Sequence, residues 1–251
     1  MPAWASTHPD PASRVSTANR YAGNRTGLTN RDTFLTRIDG LLYGDDPKQG
    51  VIEGQQFIHP ELMLAFTAPN GFYMVNGTTA VSINGQNGQA QLTTAPFNGN
   101  LETYIASAFQ RIAGQNASLQ PSAIQRTTVN GIPAAYATAR ANTNRGQVDV
   151  TVFAFQFAND RAFHFQAITA AGRGNVFNSM YGSMRRISSA EAARVVPRVI
   201  DVVTVRPSDT VESLASRMAY SNAKVERFRV LNGLRSTDRL TAGQKVKIVT
   251  Y

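Results

Sequence analysis

The chain has 251 residues, 42% of them hydrophobic and 16% charged, with a formal charge of +9 and no cysteine. That balance can bury a core, and it excludes a disulfide framework or a thiolate metal site. The basic excess favours anionic partners such as acidic glycans, lipid headgroups or nucleic acid.

In chain order, residues 1–30 are rich in Ser, Thr, Asn, Arg and Pro and show no long apolar periodicity. The opening "MPAWASTHPD" lacks the basic-then-apolar pattern of a signal peptide. Phe34, Leu35, Ile38, Leu41 and Leu42 then fall at helical spacing, with a cap at Asn30 or Asp32 and a stop near Gly44. "GDDPKQG" is a turn. Residues 31–60 read as a helical linker.

Residues 61–187 form the middle domain. "ELMLAFTAPNGFYMV" and "TAVSING" read as strands, with "NGQNGQ" as a hairpin loop. "GNLETYIASAFQRIAG" is an amphipathic helix with Leu101, Ile105, Ala108, Phe109 and Ile112 on one face. "SAIQRTTV" turns at Asn130-Gly131, a strong hairpin signal, into "IPAAYATARAN". "GQVDVTVFAFQFA" turns at Asn159-Asp160 into "RAFHFQAIT", and a final helix spans about 175–186. Strand 147–158 carries Val148, Val150 and Val152 on one face and Phe153, Phe155 and Phe157 on the other. Apolar on both sides, it should be a central strand covered twice. The class is α+β, an antiparallel sheet packed by helices.

Residues 188–197 link to a last unit, 198–251. There "VVTVRP", "TVESLASRMA", "AKVERFRVLNG" and "QKVKIVT" read as strand, helix, helix and strand. No apolar run anywhere approaches the ~18 residues of a membrane-spanning helix.

Catalytic signatures are missing. A zinc hydrolase needs two imidazoles on one helical face, a third ligand and a base. The three histidines, His8, His59 and His164, are isolated, and no His-Glu-x-x-His occurs. His164 alternates with Phe163 and Phe165, which suggests a strand-surface or cap-facing ring. His59 precedes Pro60 and suggests a local turn contact. There is no Gly-x-Ser-x-Gly, and the glycines of "NGQNGQ" lack the lysine of a phosphate loop. No Lys/Arg run with interleaved aromatics marks a nucleic-acid interface. The expectation is a chain that recognises rather than cleaves, with no catalytic residue, metal ligand or cofactor of its own.

"TVRPSDTVESLASRMAYSNAKVERFRVLNGLRSTDRLTAGQKVKI" resembles a LysM module. The points of resemblance include Thr204-Val205, Pro207, Asp209-Thr210, Leu214-Ala215, Leu231 to Leu234, Ala242 to Gln244 and Val246 to Ile248. Asp209 or Thr210 can cap the first helix, and Asn232-Gly233 can end the second. The resemblance implies binding of N-acetylglucosamine-containing glycans through two loops. These are Ser208, Asp209, Thr210 and Val211 after strand one, and Leu234 to Arg239, with Leu234 and Arg235 leading, after helix two. The family usually has glycine where this chain has Ser208; a left-handed serine costs about 1 kcal/mol. Neither loop carries an aromatic platform for a sugar, so a packing or partner-docking module is the competing reading.

"ASTHPDPASRV" resembles the closing segment of the zinc metalloprotease domain of CAAX-prenyl-protease-like peptidases. "RIDGLLYGDDPKQGVIEGQQFIHPELMLAFTAPNGF" resembles the segment that follows in bacterial members with a long C-terminal extension. This resemblance makes residues 1–30 the tail of a protease domain absent from the chain, with zinc held in that parent domain. His8 would lie near the metal and contact substrate or the developing oxyanion; Arg14 would position the segment. The chain would then be a non-catalytic accessory region in the periplasm or cell envelope. Its partners would be the upstream protease domain and peptidoglycan or envelope proteins. The alternative is a free-standing glycan- or protein-binding LysM protein. The middle domain also resembles PsbP-like folds, a sheet flanked by helices.

Overall fold

The structure, a computed structural model, describes residues 11–23, 30–114, 119–144 and 146–251. Helix α1 (Pro11–Ala22) exposes its side chains from Ser13 onward. Helix α2 (Arg31–Ile38) ends before the stop expected near Gly44. Asp39 is extended, and the next residues pair with the backbone at 198–200 instead of continuing the helix. Gly40 N–H donates to the Ile200 carbonyl at 2.8 Å, Tyr43 N–H to Arg198 at 2.8 Å, and Ile200 N–H to Leu41 at 2.9 Å. A 3-10 turn at Pro47–Gln49 is capped by Asp46, which accepts from Lys48 N–H. Residues 31–60 are therefore helical mainly at their start; Val51–Glu53 (β1) and Gln56–His59 (β2) form a hairpin.

The rest of the middle domain is built from β3 (Leu64–Thr67), β4 (Tyr73–Asn76), β5 (Val81–Gly85), β6 (Gly88–Thr94), α3 (Leu101–Ala113), β7 (Gln125–Val129), β8 (Ile132–Thr143), β9 (Gly146–Gln156) and β10 (Ala162–Ala170). After a 3-10 turn at Gly174–Phe177 come α4 (Asn178–Ser183), β11 (Arg185–Arg186) and α5 (Ser189–Ala192). Seven strands pair in the order β4-β5-β6-β10-β9-β8-β7, and every pair is antiparallel. Asn130 (φ 48°) and Gly131 (φ 77°) supply the left-handed pair that a tight β7–β8 hairpin requires. The Asn130 side chain then donates to the carbonyls of Gly182 and Met184, tying the hairpin to the end of α4.

The two-faced pattern of β9 works as its alternation demands. Val150 and Val152 pack with Leu101, Ile105, Ala108 and Phe109 of α3. Phe153, Phe155 and Phe157 enter the opposite core with Phe66, Phe165 and Met180. Helices alone do not form that second layer. A four-stranded sheet, β1-β2-β3-β11, lies there beside α4, contributing Phe57, Leu64 and Phe66. Each fully buried phenylalanine contributes on the order of 1.5–3 kcal/mol, and Phe57, Phe66, Phe155 and Phe165 are each under 2% exposed.

The C-terminal unit has β12 (Val199–Thr204), α6 (Val211–Ser216), α7 (Lys224–Asn232) and β13 (Lys245–Thr250). The two strands pair antiparallel, and Val205, Leu214, Met218, Phe228, Val246 and Ile248 close a small core between them and the helices. Helix α2 lies against β12 and β13. Arg31 donates to the Lys245 carbonyl, and the Lys245 ammonium donates to Thr36 Oγ1. Among the described residues no helix is long and apolar enough to cross a membrane.

Candidate functional site

The loop after β12 is a turn stapled by its own side chains. Asp209 N–H donates to the Arg206 carbonyl at 3.0 Å, and Asp209 Oδ2 accepts from Arg206 N–H at 2.8 Å. Thr210 is the helix cap: its hydroxyl accepts from Ser213 N–H at 3.1 Å while Ser213 Oγ accepts from Thr210 N–H at 2.9 Å. This reciprocal box satisfies two of the donors that a helix start leaves open. Of the two expected caps, Thr210 therefore caps α6 and Asp209 shapes the turn before it.

Ser208 is exposed and is not among the left-handed non-glycine residues, which among the described residues are Asn30, Met63, Asn130 and Ala223. The backbone penalty expected for serine at that position does not arise. Val211 is different from its loop neighbours: it is 5% exposed and belongs to the small core. Its side chain packs inward because it opens α6 on the face shared with Leu214, so it offers no surface to a ligand.

The second loop is pinned in the same way. Arg235 N–H donates to Asp238 Oδ2 at 2.8 Å, and Asp238 N–H returns to the Arg235 carbonyl. Arg229 from α7 reaches across to the carbonyls of Arg235 and Asp238. Leu234 is half-buried against the core, whereas Arg235 is exposed. Both aspartates thus serve backbone N–H groups, and Arg206, Arg235 and Arg239 are left as exposed cations of the two loops. Hydroxyls, backbone groups and guanidinium forks suit a polar ligand bound in an extended manner. Sequence reading missed Arg229 and Asp238 as the residues that hold this loop. The Asn232-Gly233 helix stop was the available signal, and Gly233 does take φ 65° there.

The other expected site residues do not converge. His8 lies outside the described residues. Arg14 is exposed on α1. His59 Nδ1 accepts from Leu62 N–H at 3.3 Å, the local turn contact its position suggested, and burial holds its pKa below the usual value despite Glu61 nearby. His164 corrects the sequence reading: it is 2% exposed, not on the strand surface. The reason is the packing of α3, whose Tyr104 hydroxyl lies 2.8 Å from His164 Nδ1 with the rings edge to face. Burial, reinforced by the charge of Arg111, lowers the His164 pKa to about 4. Among the described residues no three His, Cys, Asp or Glu side chains gather as a metal site would require.

The C-terminal part is thus a βααβ unit with two short stapled loops, joined to an antiparallel α+β domain. Residues 203–249 match the family model for the LysM domain. No curated protein matches the chain. Several solved structures are similar in part, three of them as follows. A protein from Bacteroides thetaiotaomicron VPI-5482 is 11% identical with a TM-score of 0.40, over 72% of this chain and 60% of that one, so the chain spans less than two thirds of its length. Cyanobacterial PsbP (CyanoP) from Synechocystis sp. PCC 6803 is 12% identical with a TM-score of 0.40, over 55% and 98%. LpqN, involved in cell envelope biogenesis of Mycobacterium tuberculosis, is 9% identical with a TM-score of 0.37, over 66% and 100%.

Proposed function

We propose that this protein is a non-catalytic glycan-binding protein of the bacterial cell envelope, attached through its LysM domain to N-acetylglucosamine-containing glycan such as peptidoglycan. The observation that carries this reading is the family match over residues 203–249, on a module whose two loops are held in shape by their own side chains. Ser208, Thr210 and Arg235 are the exposed ligand contacts; Asp209 and Leu234 shape the loops behind them. The net charge of +9 suits an anionic envelope. No cofactor enters this function.

The test is co-sedimentation of the full chain with purified peptidoglycan. Retention should fall at least several-fold in Arg235→Ala and in Asp209→Ala. Unchanged retention in both would remove the LysM loops as the glycan site.

A second reading makes the chain the accessory region of a zinc metalloprotease, with zinc and the catalytic domain upstream. It is favoured by one feature, the stretch "ASTHPDPASRV" with His8 and Arg14. Reading the coding sequence upstream tests it: an in-frame His-Glu-x-x-His supports it, and none removes it.

A further inference from the structure

We propose that the half of the seven-stranded sheet left open beside α3 is a second saccharide site, selective for a sugar that carries a carboxylate. Helix α3 covers only part of its face. Its apolar side meets Ala135, Ala137, Val150, Val152 and Ala154 on β8 and β9. Across β10, β6, β5 and β4 no helix among the described residues covers the continuation of this face, and its composition changes. The register places Gln166, Gln91, Ser82 and Val75 in one cross-strand row, and Ile168, Gln89, Asn84 and Tyr73 in the next. Between Ile168 on β10 and Val75 on β4, amides and a hydroxyl stand where alanine and valine stand under α3.

These side chains form a surface with order. Gln166 Nε2 donates to Gln91 Oε1 at 2.9 Å, and Gln91 Nε2 lies 3.4 Å from Ser82 Oγ. The chain of amides fixes which oxygen and which NH2 faces its neighbour, leaving further donors and acceptors on each group. A cavity of about 590 Å3 lies over this floor, walled by Arg111 and Ile112 of α3. That volume falls within the range of small-ligand sites, which is roughly 300–1,000 Å3. Planar amides that both donate and accept match the vicinal hydroxyls of a pyranose. At the outer edge Tyr73 is 64% exposed, and a tyrosine ring with one apolar face and one polar tip suits a surface that sugars cover.

Charge selects the kind of sugar. Among the described residues Arg111 is the one arginine or lysine lining the cavity, and no carboxylate lines it. Among the described residues no acidic side chain forms an ion pair with Arg111. His164, also in the lining, is buried and bound to Tyr104, so it adds no positive charge near neutral pH. A single free guanidinium fork at the wall of a neutral amide floor fits one carboxylate bidentately. Nucleic acid would call for several cations and stacked aromatics, and a membrane surface for an apolar floor.

The experiment uses the full chain with N-acetylmuramic acid and N-acetylglucosamine, which differ by a carboxylate-bearing ether, and follows both titrations by amide-resolved NMR. The acid should shift signals of β6 and β10 around Gln91 and Gln166, while the neutral sugar should bind that face at least tenfold more weakly. Arg111→Gln should remove that preference, and Gln166→Ala should weaken both sugars on this face. Signals at 206–211 and 234–239 report the LysM loops separately, so failure there leaves this site standing and the reverse. The proposal is overturned if neither sugar shifts β6 or β10 at millimolar concentration, or if Arg111→Gln, with unchanged circular dichroism, binds the acid as wild type does.

Discussion

The side-chain amide of Asn232 pairs with both backbone groups of Lys247. Its Oδ1 accepts from Lys247 N–H at 2.7 Å, and its Nδ2 donates to the Lys247 carbonyl at 2.8 Å and to that of Phe228 at 2.9 Å. A side chain at the end of α7 thereby imitates a third strand along β13.

Asn232→Ala removes these bonds and leaves half-buried backbone groups without partners. Each such group costs roughly 1–3 kcal/mol, so the LysM unit should lose about 2–4 kcal/mol. Asn232→Asp keeps the acceptor but sets a carboxylate oxygen against the Phe228 and Lys247 carbonyls, so it should be no more stable than the alanine variant. Urea unfolding followed at Tyr220 and Tyr251 signals measures both; an alanine variant as stable as wild type would show the pairing to be dispensable.

The His164 ring makes the second prediction. Its folded pKa, about 4, lies below the unfolded value near 6.5. Between those values the unfolded chain binds more protons, so stability falls as pH drops through that window and is fully present above it. The integrated loss is on the order of 3 kcal/mol. The carboxylates of Glu102, Asp149 and Glu191, held below their usual range by arginine partners, also lose stabilisation on acidification. The measurement is therefore a difference: His164→Gln should flatten the slope between pH 6.5 and 4 relative to wild type. Equal slopes in chemical denaturation would refute it.

What the sequence discloses follows from how local each cause is. The hairpin at Asn130-Gly131 was legible because two left-handed residues are a requirement of the turn itself. The central position of β9 was legible because its own two faces are apolar. The LysM unit was legible because its helix cap, helix stop and final turn recur at fixed spacing. Burial of His164 was not, since strand alternation gives its face but not that α3 reaches over it. Leu41 and Leu42 fit a helical spacing, yet backbone pairing with residues 198–200, far away in the chain, decides their conformation. The hairpin β1–β2 was missed because three- and four-residue strands carry too few alternations to register. The amide floor was missed because Gln91 and Gln166 lie 75 positions apart and meet only through the β6–β10 register.

Asp149 yields a third prediction. Its side chain is 11% exposed. It takes Arg140 Nε at 2.9 Å and the Gly172 N–H at 2.6 Å. It thus fastens the turn after β10 to the sheet. Asp149→Ala leaves the Gly172 N–H unpaired and should cost about 2–3 kcal/mol, with faster hydrogen exchange confined to 170–175. Asp149→Asn keeps an oxygen for Gly172 and should cost less. Uniform exchange across the sheet in the alanine variant would contradict a local fastening.

The last prediction concerns where α2 belongs energetically. A two-stranded sheet is marginal alone and needs a further strand or a helix against it. Residues 40–43 pair with 198–200, with Leu42 bridged to Val199, and α2 lies against both strands. The Asp39 carboxylate accepts from Val202 N–H at 2.9 Å. Leu35, 3% exposed, is the apolar anchor of that helix. Leu35→Ala should therefore lower stability by about 2–5 kcal/mol, and the loss should appear in the unfolding of the LysM unit rather than of the seven-stranded sheet. Residue-resolved hydrogen exchange separates the two: protection should fall along β12 and β13 while β8 and β9 stay unchanged. A fall along β8 and β9 instead would assign α2 to the middle domain.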